Sequence, residues 1–172
     1  NVSPGLYEVR AVGRYGMTNA RTFHVGNWNE MSAVSGNNST DKAVEVATGT
    51  VVNGQADNDS IDYYKLHATK GQRLLIDCWA QRIDSRMDAS LVLYDSTGLE
   101  LRRVHNTDGL DPVMELSAPA DGDYILGVYD FTYGGGGSYF YRLAVHTGPY
   151  IDFVFPPVGK PGASGKFTLY GR

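Results

Sequence analysis

Oxygen-bearing side chains crowd one short stretch of this chain, where Asp57, Asn58, Asp59 and Asp62 follow one another closely. Hard cations such as Ca2+ take about 6–8 oxygen ligands, so Asp57, Asp59 and Asp62 are the candidate metal ligands and calcium the candidate ion. The spacing is not that of an EF-hand: glycine is missing from the sixth position, and Ala68 stands where a bidentate glutamate would be. Turns rich in Asp and Asn are also common as plain solvated loops. Asp84 with Asp88, and Asp108 with Asp111, are weaker pairs of the same kind.

Catalytic chemistry finds less support. In Gly162-Ala163-Ser164-Gly165-Lys166, a lysine occupies the place two residues after the serine where a nucleophile elbow needs glycine. The same stretch fails as a phosphate loop, because the gap from Gly159 to Gly165 is one residue too long, Phe167 replaces the hydroxyl residue and Pro161 interrupts it. His24, His67, His105 and His146 lie far apart without His-x-x-x-His spacing, and alternation places His67 and His146 on solvent-facing sides of strands. Cys78, the single cysteine, falls among Leu74, Ile76 and Ala80 and reads as a small buried hydrophobe. No catalytic residue is assigned, and the chain is expected not to be an enzyme. No cofactor is required.

A second candidate set is aromatic: Tyr63, Trp79, Tyr129, Phe131, Tyr133 and Phe140 fall off the expected core face or in loops. Rings on a flat sheet face can stack on sugars or anchor a protein interface, because they bring large area at little entropic cost. The competing reading is that flanking segments cover them.

The elements that would position these groups are strands. Glycine makes up 21 of 172 residues, against a usual share of ~7%, and net charge is only −4 with 42% hydrophobic residues, so the chain folds around a real core. No charge excess marks a nucleic-acid partner. No apolar run approaches the ~20 residues of a membrane span, and the first residues form no signal pattern, so a soluble, already processed chain is expected. Period-two alternation recurs between turn residues: Tyr64, Leu66 and Ala68 share one face, then Leu74, Ile76, Cys78 and Ala80, then Leu91 and Leu93. Leu99 and Leu101 follow the turn Asp95-Ser96-Thr97-Gly98, then come Tyr124, Leu126 and Val128, and last Tyr139, Tyr141, Leu143 and Val145. Gly134-Gly135-Gly136-Gly137 suits a flexible or tightly turned connection. Polar and Pro/Gly breaks divide the chain into flanking strands 1–26, a linker 27–39, a central body 40–148 and flanking strands 149–172.

The central body resembles the bacterial pre-peptidase C-terminal domain family. The resemblance rests on Asp59-Ser60-Ile61-Asp62-Tyr63-Tyr64-Lys65-Leu66, Lys70-Gly71-Gln72-Arg73-Leu74, Leu91-x-Leu93-Tyr94-Asp95, Ala118-Pro119-Ala120-Asp121-Gly122-Asp123-Tyr124 and Tyr141-Arg142-Leu143. It implies an all-β, jelly-roll-like antiparallel β-sandwich, an accessory module without catalytic residues in a secreted or cell-surface bacterial protein. Its role would be spacer, folding aid or adhesion unit, its partners the neighbouring domains of the parent polypeptide. The alternative is a module binding extracellular polysaccharide or protein, with calcium assistance known among clostridial collagenase relatives. The flanks resemble the last strands of one immunoglobulin-like unit (1–26) and the first strands of another (149–172), and the two are expected to pack against each other.

Overall fold

The computed structural model describes residues 2–172. Its strands run β1 (Gly5–Val9), β2 (Val12–Gly13), β3 (Gly16–Met17), β4 (Arg21–Val25), β5 (Asn29–Ser32), β6 (Val44–Glu45), β7 (Thr50–Gln55) and β8 (Asp62–Ala68). There follow β9 (Arg73–Trp79), β10 (Ala89–Tyr94), β11 (Glu100–His105), β12 (Val113–Ser117), β13 (Gly122–Asp130), β14 (Phe140–His146), β15 (Ile151–Phe155) and β16 (Thr168–Gly171). The only helical pieces among the described residues are 3-10 turns at Thr40–Lys42 and Gln81–Ile83. None is long and apolar enough to cross a membrane.

Two 5-stranded sheets form a jelly-roll-like sandwich: sheet I in the order β11-β10-β13-β8-β6 and sheet II in the order β12-β9-β14-β7-β5. The alternating apolar residues meet between them, where Tyr64, Leu66, Leu74, Ile76, Leu91, Leu126 and Leu143 are at most 1% exposed. Fully burying each such aliphatic side chain contributes about 1.5–3 kcal/mol, so the period-two pattern specifies the register of both sheets.

Four expectations need correction. The sandwich is not wholly antiparallel, since the edge strands β5 and β6 pair parallel to β7 and β8. The 27–39 linker is not outside the body: it supplies β5, and buried Asn37 exchanges backbone and side-chain hydrogen bonds with Tyr63. Leu99 is 63% exposed and Val104 is buried instead, because a bulge where β10 meets β11 shifts the inward parity after the turn. The flanks form three separate 2-stranded sheets, β1-β4 and β2-β3 on one side and β15-β16 on the other, with no ladder between the two flanks. Phe23 and Phe153 remain 57% and 56% exposed, so the expected packing of one flank on the other does not occur.

Candidate functional site

The acidic turn is built for packing rather than for a cation. Asp62 points inward and is 8% exposed; its Oδ2 accepts a hydrogen bond from the Tyr141 hydroxyl (2.5 Å), which lies 2.6 Å from the Tyr64 hydroxyl. Burial pushes the Asp62 carboxyl above its usual range, only partly offset by the Tyr141 bond. Asp57 and Asp59 are exposed, Asp59 with a φ of 55°. The structure does not bring the three carboxylates together, and no group of three or more metal-ligating side chains occurs among the described residues. The arrangement is not a preformed Ca2+ site, since Asp57 and Asp59 face solvent and Asp62 Oδ2 accepts from Tyr141.

The four glycines explain the turn's shape. A Cβ at Gly135 would stand 2.3 Å from the Asn58 nitrogen, whereas one at Gly137 would meet nothing within 4 Å. The Gly136 amide donates to the Ala56 carbonyl and the Asp59 amide to that of Tyr133. Close backbone approach, not flexibility, selects glycine at position 135. Gly135→Ala is expected to lower stability by about 1–3 kcal/mol, while Gly137→Ala stays within about 0.5 kcal/mol, as read from urea unfolding of the two variants.

The six aromatic candidates do not share a surface. Tyr63, Tyr129, Phe131 and Tyr133 belong to sheet I or the loop leaving it, and Trp79 and Phe140 to the outer face of sheet II. Tyr129 is only 5% exposed, stacked on Tyr133 at 5.3 Å with its hydroxyl accepting from Arg103 (2.5 Å). Phe131 stacks on His105 at 4.2 Å. Phe140 lines a crevice of about 470 Å3 between β4 and sheet II, together with Phe23 and Arg142.

The outer face of sheet II and its bordering loops carry a dense cluster of charged groups. Arg82, in the 3-10 turn after β9, donates to Asp77 Oδ1 (2.5 Å), Asp111 Oδ2 (2.8 Å) and Asp108 Oδ2 (3.2 Å). Its guanidinium lies 4.6 Å from the centre of the Trp79 ring. Asp111 is 0% exposed and also accepts from the backbone amides of Gln81 and Arg82. Burial holds the Asp77 carboxyl above its usual range, although Arg82 opposes this.

Both flanks attach to this cluster. From the N-terminal side, the Thr22 amide donates to Asp84 Oδ2 (2.7 Å), His24 packs on Trp79 (4.4 Å) and Trp28 on His146 (4.6 Å). His24 and Trp28 close a cavity of only about 40 Å3 over Val51 and Ala144. Glu30 of β5 is clamped by Arg142 through bonds of 2.7 and 3.1 Å. From the C-terminal side, the Tyr150 hydroxyl donates to Asp108, and Arg73 reaches the Gly148 carbonyl (3.1 Å). Hence Val51, Leu75, Val113 and Ala144, on the side of sheet II away from the core, are 0–8% exposed.

The sandwich is similar in fold to a pre-peptidase C-terminal domain. The matched structure is that domain of a collagenase from Bacillus anthracis, at 18% identity and a TM-score of 0.48, covering 70% of this chain and 99% of that one. The chain is also similar to PliG of Aeromonas hydrophila, a periplasmic inhibitor of g-type lysozyme, at 15% identity and a TM-score of 0.46, covering 68% and 97%. No family model and no curated protein matches the chain.

In the sequence Asp108 and Asp111 stand out only as minor loop acids, and no pattern singles out Arg82. Their signal is slight, since the partners lie up to about 30 residues apart in loops that carry no periodicity. His146 corrects another expectation: alternation places it off the core face, yet it is 8% exposed because Trp28 lies over it. Cys78 is 0% exposed, and burial raises its thiol well above the ordinary range, which leaves it an inert hydrophobe.

Proposed function

We propose that this chain is a non-catalytic spacer module of an exported bacterial multidomain protein, acting at the cell surface or outside the cell. It holds the β-units on either side of it in a fixed direction. The observation that carries this reading is the anchoring of both flanks on one sheet face around Arg82: Thr22 and His24 from one side, Tyr150 from the other. The partners are the neighbouring domains of the parent polypeptide, whose edge strands are β1–β4 and β15–β16. The family resemblance of the central body supports the accessory role, and the exposed apolar residues of the two hairpins, such as Leu6, Val9 and Leu169, support contact with further chain.

Docking of the N-terminal flank carries a pH signature. Burial, with Arg142 next, holds the His24 imidazole below its ordinary 6.5, against the pull of Glu30 and Asp77; Arg82 adds to the lowering. Burial does the same to His146, opposed by Asp77 and aided by Arg73. Each folded-state value is depressed, so the unfolded chain binds more protons in mild acid. The stability from the neutral rings is therefore complete above about pH 6.5 and lost as pH falls toward the lowered values. The chain's two tryptophans, Trp28 and Trp79, both touch these histidines, so their fluorescence reports docking. Emission is expected to change as pH falls below about 6.5 while far-ultraviolet circular dichroism stays constant. Emission that moves only with global unfolding would count against flank docking on this face.

A further inference from the structure

Sheet I presents the opposite situation: no hydrogen bond or ion pair from either terminal hairpin reaches its outer face among the described residues. There a groove of about 610 Å3 runs between the turn Asp95–Gly98 and the 3-10 turn Thr40–Lys42, floored by Tyr63, Tyr94 and Ile125. All three floor residues are half-buried, neither sealed nor free. The groove falls in the size range of small-molecule and oligomer sites, ~300–1,000 Å3.

The floor is flat for a specific reason. On β13, between Val92 of β10 and Tyr63 of β8, stands Gly127. A Cβ there would come within 2.8 Å of Val92, 2.9 Å of Ile61 and 3.4 Å of the Tyr63 ring. Glycine thus lets the Tyr63 ring lie down against the sheet. The rim is polar, with the hydroxyls of Thr40 and Ser96 and the carboxylates of Asp41 and Asp95, and no lysine or arginine lines the groove.

We propose that this groove binds a neutral polysaccharide chain whose sugar rings lie on Tyr63 and Tyr94. A pyranose offers an apolar C–H face, which suits the electron-rich face of a phenol ring, and an edge of hydroxyls, which suits a rim of hydroxyl and carboxylate acceptors. With two rim carboxylates and no lysine or arginine among its lining residues, the groove repels anionic glycans and so favours the neutral class. This site is independent of the spacer reading, which rests on sheet II.

Affinity electrophoresis of the intact chain in gels containing soluble xylan, β-glucan, galactomannan or alginate tests the proposal. At least one neutral polysaccharide is expected to retard the chain, and alginate none. Tyr63→Ala and Tyr94→Ala should each weaken retardation about tenfold, whereas Tyr63→Phe and Tyr94→Phe, which keep the rings, bind within about threefold of the parent. Phe23→Ala, on the far flank, should change nothing. The proposal is overturned by no retardation in any neutral gel, by preferential retardation in alginate, by undiminished binding of both alanine variants, or by equal loss in the phenylalanine variants.

Discussion

Arg82→Met is expected to lower the stability of the chain by about 3 kcal/mol or somewhat more. Removing one partner of a buried ion cluster leaves the others uncompensated, which typically costs about 3–5 kcal/mol. The lower end applies because the Arg82 side chain is 27% exposed and Asp108 is 42% exposed. Asp111, at 0%, and Asp77, at 9%, would be the stranded groups. For a chain of this size the loss corresponds to a melting temperature lower by about 6–12 °C. Arg82→Lys is not a rescue, since one ammonium cannot span three carboxylates and lie flat on Trp79. The deficit should shrink in acid, where Asp77, already held above the usual carboxylate range, takes up a proton instead of remaining an unpaired buried charge.

Gly54→Ala is the second substitution with a large expected effect. The new Cβ would stand 2.2 Å from Tyr141 Cζ and 2.4 Å from its hydroxyl. The ring cannot retreat freely, because its hydroxyl is held between Tyr64 and Asp62 in the core. Overpacking costs about 1–3 kcal/mol, and displacing the hydroxyl strands two buried polar groups at about 1–3 kcal/mol more. Tyr141→Phe removes only the second of these and should be milder. In a Tyr141→Leu background the alanine should cost much less than in the parent, a coupling that a double-mutant cycle on urea unfolding would measure.

These two sites differ in how far the sequence disclosed them. The core was legible, since Tyr64, Leu66, Leu74, Ile76, Leu126 and Leu143 alternate with polar residues and all lie inside. Gly54 and Arg82 were not, because alternation says which side of a strand a residue takes but not which strand lies beside it. For the same reason Tyr63 and Trp79, both off the core face, end on opposite sides of the sandwich: β8 and β9 are consecutive in sequence yet belong to different sheets. Nor does alternation say what covers a face. Leu75, between two inward residues, reads as outward, and it is 0% exposed because the outer face of sheet II is itself a covered layer.

Composition misled at β5. The segment before Asn37-Asn38 is polar enough to read as a connector, and its strand is stabilised less by apolar alternation than by the parallel ladder with β7 and the clamp of Arg142 on Glu30. The acidic turn misled in the opposite sense. Three aspartates close in sequence suggest shared ligation, but Asp62 begins a strand and takes its direction from the pleat, which turns it toward Tyr141 and away from Asp59.

The central claim is that the module fixes one flank relative to the other. Pulsed electron paramagnetic resonance between nitroxides at Glu8→Cys on β1 and Leu169→Cys on β16 measures that relation directly, and Cys78, fully buried, stays unlabelled. A single narrow distance distribution is expected, broadening when Trp79→Ala removes the ring that His24 and Arg82 pack against. A broad or multimodal distribution in the parent chain, unaffected by Trp79→Ala, would contradict the spacer function.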